Sequence, residues 1–230
     1  MAFPETATLD PWRDRALARS LEPARARSAD RLERLVVAAR DLADETGSAS
    51  FTVAQVAARA GVSLKVVYRY FASKDDLLVA LLEEDSRIGA ALLSDAVAAH
   101  TDPLARLRAA VTGVFELITL PGALGYAGVL IREQRRLAES RPEALTQALA
   151  PIIDVLADAF QETVAAGLAE AADPRRTART VFALVLDGLH EVVLGRAEPL
   201  EEAAFLWRCT WGGVRGDARS SSTASPEEDR

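Results

Sequence analysis

Cysteine, lysine, histidine and aromatic residues are all scarce in this chain of 230 residues. A lone cysteine, Cys209, excludes an internal disulfide framework. The two histidines, His100 and His190, stand apart. No His/Cys/Asp/Glu cluster has metal-ligand spacing, so neither a metal site nor a cofactor is expected. No apolar run is long enough to span a bilayer, and no secretory leader is recognisable. The expectation is a cytoplasmic chain with no membrane partner. Aromatic residues make up 6% of a chain that is 50% hydrophobic. A core of this kind rests on Ala, Leu and Val, a composition that suits helices. The length is enough to bury a sizeable core and gives a prior of one or two domains. Arginine is plentiful, but Lys65 and Lys74 are the only lysines.

The formal net charge of −7 is unevenly spread. Residues 1–76 carry 12 Lys and Arg against 11 Asp and Glu, while residues 77–230 carry 15 against 23. The acidic excess therefore lies away from the stretch that holds both lysines, where it opposes non-specific sticking to polyanions.

That stretch runs from Phe51 to Leu77. Thr52 with Gln55 makes a capping box, and Val53, Val56, Ala57 and Ala60 follow at helical spacing. Gly61 breaks the helix and tolerates the left-handed backbone of a sharp turn. Ser63 then caps a second helix over residues 64–71. Ala57 permits a close crossing, which Val62, Val67 and Tyr70 fill. The result is the pattern of a helix-turn-helix, whose second helix enters the DNA major groove. A structural alternative exists, because many helical proteins join two helices by a glycine turn. Against it, Leu64, Lys65, Tyr68 and Arg69 project away from the Val62–Val67 side. Ser73-Lys74-Asp75-Asp76 opens a third helix with a lysine in its first turn, where acids are normally preferred. An anion such as a DNA phosphate nearby accounts for that lysine.

Ala60 to Ser63, Tyr68, Phe71, Lys74 and Leu77 together resemble the signature of TetR-type transcriptional regulators. The resemblance is specific over residues 31–82. It implies that Tyr68, Tyr70 and Lys74 touch phosphates while Leu64, Lys65, Val66 and Arg69 face bases, with Thr52 and Ser63 at the helix starts beside them. Lys65 and Val66 stand where many members carry Gly and a small residue.

The rest of the chain is expected to be all-α, with an N-terminal three-helix DNA-binding domain and a C-terminal helical domain for ligand binding and dimerisation. Residues 1–27 hold Pro4, Pro11 and Pro23 without a sustained helical period, and read as a flexible arm. Its arginines, Arg13, Arg15, Arg19, Arg25 and Arg27, fit either a solvated tail or an arm reaching DNA. Asp30 and Glu33 make a capping box for a first helix that ends at Gly47, so the DNA-binding domain is set at 28–76. A long helix runs from Ser73 to about His100 and leads into a second domain over 77–214. Further helices start at Pro103, about Ala123, Pro142, Pro174 and Pro199, with Pro121-Gly122 as a stop. Pro151 is expected to kink the helix that starts at Pro142. Residues 215–230 read as a disordered tail.

Residues 181–186 are apolar without a break, which fits a strand or a buried helix; the flanking cap, proline and length favour the helix. A helix apolar most of the way round needs two partners. One is its own domain, and the simplest second is another copy of the chain. The expected homodimer surface is Val181, Leu184, Val185, Gly188, Leu189, Val192, Phe205 and Leu206. The alternative is a central helix of a monomer. Helices between Pro103 and Leu168 are suited to enclosing a cavity, as TetR-like proteins do for an inducer. Its polar lining candidates are Thr112, Thr119, Tyr126, Arg132, Gln134 and His190, each equally open to a surface or structural role. The apolar majority points to a hydrophobic or amphipathic effector. No catalytic set is recognisable. Asp187, His190 and Glu191 fall within one helical turn and read better as a polar cluster. The reading is a ligand-responsive, dimeric regulator, most simply a repressor on a palindromic site in double-stranded DNA. The competing reading is a helical small-molecule-binding or scaffold protein whose head does not read DNA.

Overall fold

The computed structural model describes residues 11–119 and 123–215. Ten helices and no strand occur among them: α1 (Pro11–Thr46), α2 (Val53–Arg59), α3 (Leu64–Tyr70), α4 (Lys74–Ala98), α5 (Pro103–Leu117), α6 (Ala123–Ser140), α7 (Pro142–Ala148), α8 (Ala150–Ala165), α9 (Pro174–Val193) and α10 (Pro199–Val214). The chain is thus all-α. The stretch 181–186, open to a strand reading, lies within α9.

Local chemistry sets most helix starts. Asp102 accepts from the Ala105 amide at 2.8 Å, and Asp173 accepts from the Arg176 amide at 2.9 Å. Both caps precede a proline in the first turn, where its missing N–H costs no hydrogen bond. Gly47 and Gly61 take φ of +59° and +68° at the exits from α1 and α2, the conformation that a side chain resists.

Two expectations are corrected. Residues 11–27 are not an irregular arm; they are the first half of α1, which runs on through Pro23. Asp30 and Glu33 therefore sit inside a helix, and Asp30 pairs with Arg34 at 3.3 Å. Pro11 lies at the helix start, where it is tolerated, and the Ala, Leu, Glu and Arg around Pro23 are strong helix formers that outweigh one lost rung. Residues 1–10 lie outside the described residues. The second correction concerns Pro151. The chain breaks at Leu149 into α7 and α8 instead of kinking one helix, which puts the proline in the first turn of α8. The proposed stop at Pro121-Gly122 and the tail from 216 onward lie outside the described residues.

Buried side chains fall into two clusters. One joins Leu35, Ala39, Phe51, Val56, Val67 and Leu77 from α1 to α4, with Val129, Leu137 and Leu145 added from α6 and α7. The other is built on Leu107, Val111, Phe115, Leu156, Phe160 and Val181 from α5, α8 and α9. α4 contributes Leu77, Leu78, Leu81 and Leu82 to the first cluster and Val97 to the second, so one helix serves both. α6 likewise straddles them through Val129 and Ile131. No described helix is long and apolar enough to cross a membrane.

Candidate nucleic-acid interface and interior cavity

α2 and α3 are set by the turn between them. Thr52 Oγ1 accepts from the Gln55 amide at 3.2 Å, and the Gln55 side chain accepts from the Thr52 amide at 2.7 Å, so the capping box forms. Ser63 occupies the start of α3, but its hydroxyl makes no cap bond. Val67 is fully buried against Val56 and Ala57, which fixes the rotation of α3. The opposite side then faces solvent: Leu64 and Tyr68 are 42% and 52% exposed, and Lys65 and Arg69 are exposed beside them. Val66 is half-buried. Neither Lys65 nor Arg69 makes an ion pair among the described residues. Arg69 stacks 5.1 Å from the Tyr70 ring centre and donates to its hydroxyl at 3.4 Å. Bonds from Ser28, Arg69 and Arg31 hold the Tyr70 hydroxyl below its ordinary pKa.

Lys74 is placed differently from expectation. Its ammonium donates to the Ala49 carbonyl and lies 4.8 Å from the Phe51 ring centre. Partial burial lowers its pKa. Within the chain, its position in the first turn of α4 is explained by this tie to the loop before α2.

Above the head, α4, α5, α6, α8 and α9 line a partly open cavity of about 210 Å³. Leu82, Leu130, Ile152, Leu156, Phe182 and Leu189 supply much of an apolar wall. Of the six polar lining candidates, the structure brings Tyr126 and Gln134 to this wall. The other four lie elsewhere. Thr112 and Thr119 bond back to the Arg108 and Glu116 carbonyls of α5. Arg132 donates to the Gly47 carbonyl at 2.7 Å. His190 has a buried Nδ1 without a partner but does not reach the wall. Asp187 pairs with Arg135 and Glu191 with Arg196, so the Asp187, His190 and Glu191 group does not act together.

Sequence reasoning missed three residues here. Asp85 and Ser86 of α4 line the cavity, and Arg40 of α1 stands behind them. Arg40 donates to Asp85 Oδ1 from Nε at 3.0 Å and from Nη2 at 2.6 Å, and the Tyr126 hydroxyl donates to Asp85 Oδ2 at 2.5 Å. Burial pushes the Asp85 carboxyl above its usual range, against the pull of Tyr126 and Arg40. Burial beside that carboxylate also drives the Tyr126 hydroxyl well up. The available signal was small and polar residues interrupting an apolar stripe: Ser86 and Gly89 fall where Leu78, Leu82 and Leu93 set the period. Small side chains on a buried stripe leave room.

The dimer candidates also divide. Val181, Val185, Leu189 and Val192 are buried within the chain, and Val185 and Leu189 line the cavity. Gly188 is pressed against Leu206 and Glu202 of α10; a Cβ there would lie 2.6 Å from Leu206 Cδ1. All six pack within the chain, where α9 meets α5, α8 and α10. Leu184 at 43% and Phe205 at 50% remain exposed, as do Leu194 at 46% and Leu200 at 62%.

Residues 35–81 match the family model described as bacterial regulatory proteins, tetR family, and residues 105–204 match that of the AefR-like transcriptional repressor, C-terminal domain. The HTH-type transcriptional regulator BetI of Burkholderia ambifaria is 43% identical over 74 residues, which are 32% of this chain and 38% of that protein. The match to such relatives thus spans well under half their length. Among solved structures, the transcriptional regulator FadR from Bacillus subtilis, in complex with stearoyl-CoA, superposes with a TM-score of 0.65 at 19% identity, covering 80% of this chain and 99% of that one. RolR in complex with resorcinol gives 0.64 at 15% identity, covering 88% and 98%. These structures share the fold. With tetR-type models matching both its head and its helical core, the chain belongs to the TetR family of bacterial regulatory proteins.

Proposed function

We propose that this chain is a sequence-specific DNA-binding regulator of transcription, a repressor that a small, mainly apolar effector releases from a palindromic operator. The observation that carries the reading is the outer face of α3. Leu64, Lys65, Tyr68 and Arg69 are exposed there, the two cations make no ion pair among the described residues, and the helix is held by a glycine turn. A helix of this kind fits the major groove, with Lys65 and Arg69 reaching base edges and Tyr68 and Tyr70 the phosphates. Thr52 and Ser63, exposed at the helix starts, are suited to phosphate contacts. Residues 28–76 form the reading head in this account, and residues 77–214 the effector and dimer domain.

Two copies joined through α9 and α10, with Leu184 and Phe205 in the seam, would present two α3 helices one DNA turn or a multiple apart. Coupling between cavity and head runs through α6. Tyr126 and Gln134 face the cavity, while Arg132 holds the Gly47 carbonyl and Arg136 holds Asp75 at 2.7 Å. An effector that displaces Tyr126 also loosens Asp85 and hence Arg40 in α1. It thereby favours a head arrangement that does not match the operator, and DNA affinity falls by differential binding to two states. The ligand-bound FadR and RolR structures support an effector within this fold.

The test is selection from random duplex DNA, with Tyr68→Ala alongside. Enrichment of a palindrome by the wild type alone is the expected result. No enrichment at low salt would favour a scaffold whose head does not read DNA.

A further inference from the structure

Two of the four polar side chains on the cavity wall, Asp85 and Tyr126, are already engaged. Asp85 Oδ1 takes two bonds from Arg40, and its Oδ2 takes the Tyr126 hydroxyl. Arg40 itself does not line the cavity. The carboxylate is thus neutralised from behind, and no cation faces the void. An ion entering here would leave water without gaining a counter-charge, which disfavours it against a neutral ligand. Ser86 differs. It is 95% buried, lines the cavity, and its hydroxyl has no hydrogen-bond partner. An unmet buried hydroxyl is costly. Gln134 also makes no hydrogen bond among the described residues. It lies on the wall shared with a second space of about 240 Å³ bordered by Arg135 and Leu145.

Size narrows the occupant further. An apolar cavity of about 150 Å³ accommodates benzene, so 210 Å³ accommodates a ring with a short substituent. We infer that this cavity takes an uncharged, mainly apolar molecule of roughly eight to ten non-hydrogen atoms, bearing a single hydroxyl or carbonyl oxygen that bonds the Ser86 hydroxyl. The inference rests on the reading of this cavity as the effector site and supplies the chemical class that reading leaves open. Ser86 is its specificity residue, because a fully buried hydroxyl that lacks a partner gains a bond from an oxygenated ligand and none from its hydrocarbon counterpart, whereas the apolar wall holds both. Gln134 accommodates a longer substituent toward the second space.

The experiment measures binding directly, by titration calorimetry on the full chain, with three probes: 4-ethylphenol, ethylbenzene and 4-ethylbenzoate. The wild type is expected to bind 4-ethylphenol about fivefold or more tightly than ethylbenzene, the ratio one buried hydrogen bond provides, and to give no heat with 4-ethylbenzoate. Ser86→Ala is expected to keep ethylbenzene affinity, lose the preference for the phenol, and melt no lower than the wild type, because the substitution removes an unsatisfied group. Should Ser86→Ala melt lower, Ser86→Cys, of nearly equal volume and weaker hydrogen bonding, takes its place. Equal affinity for the phenol and the hydrocarbon in the wild type overturns the inference. So does a preference that survives at position 86, tightest binding of the benzoate, or no binding of any probe at millimolar concentration. The readout does not involve DNA. Phenol binding with operator affinity unchanged would count against the regulator and leave this inference standing.

Discussion

On α3, Lys65 and Arg69 are exposed and make no ion pair among the described residues, whereas on α6 every arginine has found a partner. Arg132 holds the Gly47 carbonyl, Arg135 holds Asp187, and Arg136 holds both Asp75 and Glu133. The residue chemistry of the two helices is alike, but its use is opposite. Paired cations tie elements of one chain together, and a polyanion gains little from them because an intramolecular bond must first be given up. Unpaired cations held on a short, well-anchored helix keep their full attraction for phosphate or base edges. Arginine content therefore does not by itself identify a nucleic-acid surface; what each arginine is bonded to matters as much.

The sharpest way to break this comparison is to remove a paired cation behind the cavity. Arg40→Leu strands the largely buried Asp85 carboxylate and is expected to cost about 2–3 kcal/mol, at the lower end for such pairs because Arg40 is itself partly exposed. Chemical denaturation measures it. A loss below about 0.5 kcal/mol would mean that Tyr126 and water suffice to hold Asp85. On α3 the outcome should reverse. Lys65→Ala or Arg69→Ala is expected to leave the melting temperature within about 2 °C of the wild type while weakening operator binding roughly tenfold, with Lys65→Ala also changing sequence preference. A uniform scaling across sequences would reassign Lys65 to a phosphate.

Lys74 stands between the two classes. Its tie to Ala49 and Phe51 makes it structural in the free chain, so Lys74→Ala is expected to lower stability by about 1 kcal/mol as well as weakening binding to all DNA sequences. Unchanged stability with weakened binding would return it to the α3 class. The smallest effect belongs to Asp75. Its bond from Arg136 holds its pKa below the ordinary value, so its contribution is present at neutral pH and is lost as the pH falls through the depressed value. Asp75→Asn should lower the melting temperature by about 2 °C or less at pH 7. That difference should shrink below about pH 4. A difference that persists in acid would assign the effect to packing.

Much of the architecture was legible because the signals were local. Thr52 with Gln55, Gly61, Asp102-Pro103 and Asp173-Pro174 each act within one turn of backbone, and all appear where expected. The first half of α1 was misread because prolines were weighed above the helix formers around them. The cavity was only partly legible. Tyr126 and Gln134 were found, but Arg132 was claimed for the ligand, and Asp85 and Ser86 were passed over. Which way a side chain on α6 turns depends on where α1, α4 and α9 lie, and no spacing along α6 encodes that. The same limit applies to α9, whose apolar residues fit a dimer seam by spacing alone but pack largely against α5, α8 and α10 within the chain.

The amino-acid sequence by itself determined the helical class, the helix-turn-helix, the exposed side of α3 and the family resemblance. These depend on backbone propensity, capping and periodicity, which act over a few residues. Only the tertiary structure decided which cations are free and which are tied, that α6 is at once cavity wall and link to the head, and that Ser86 is left unsatisfied at the cavity wall. Those properties are relations between groups far apart in the chain, such as Arg40, Asp85 and Tyr126. They come into being only when packing brings those groups within hydrogen-bond distance.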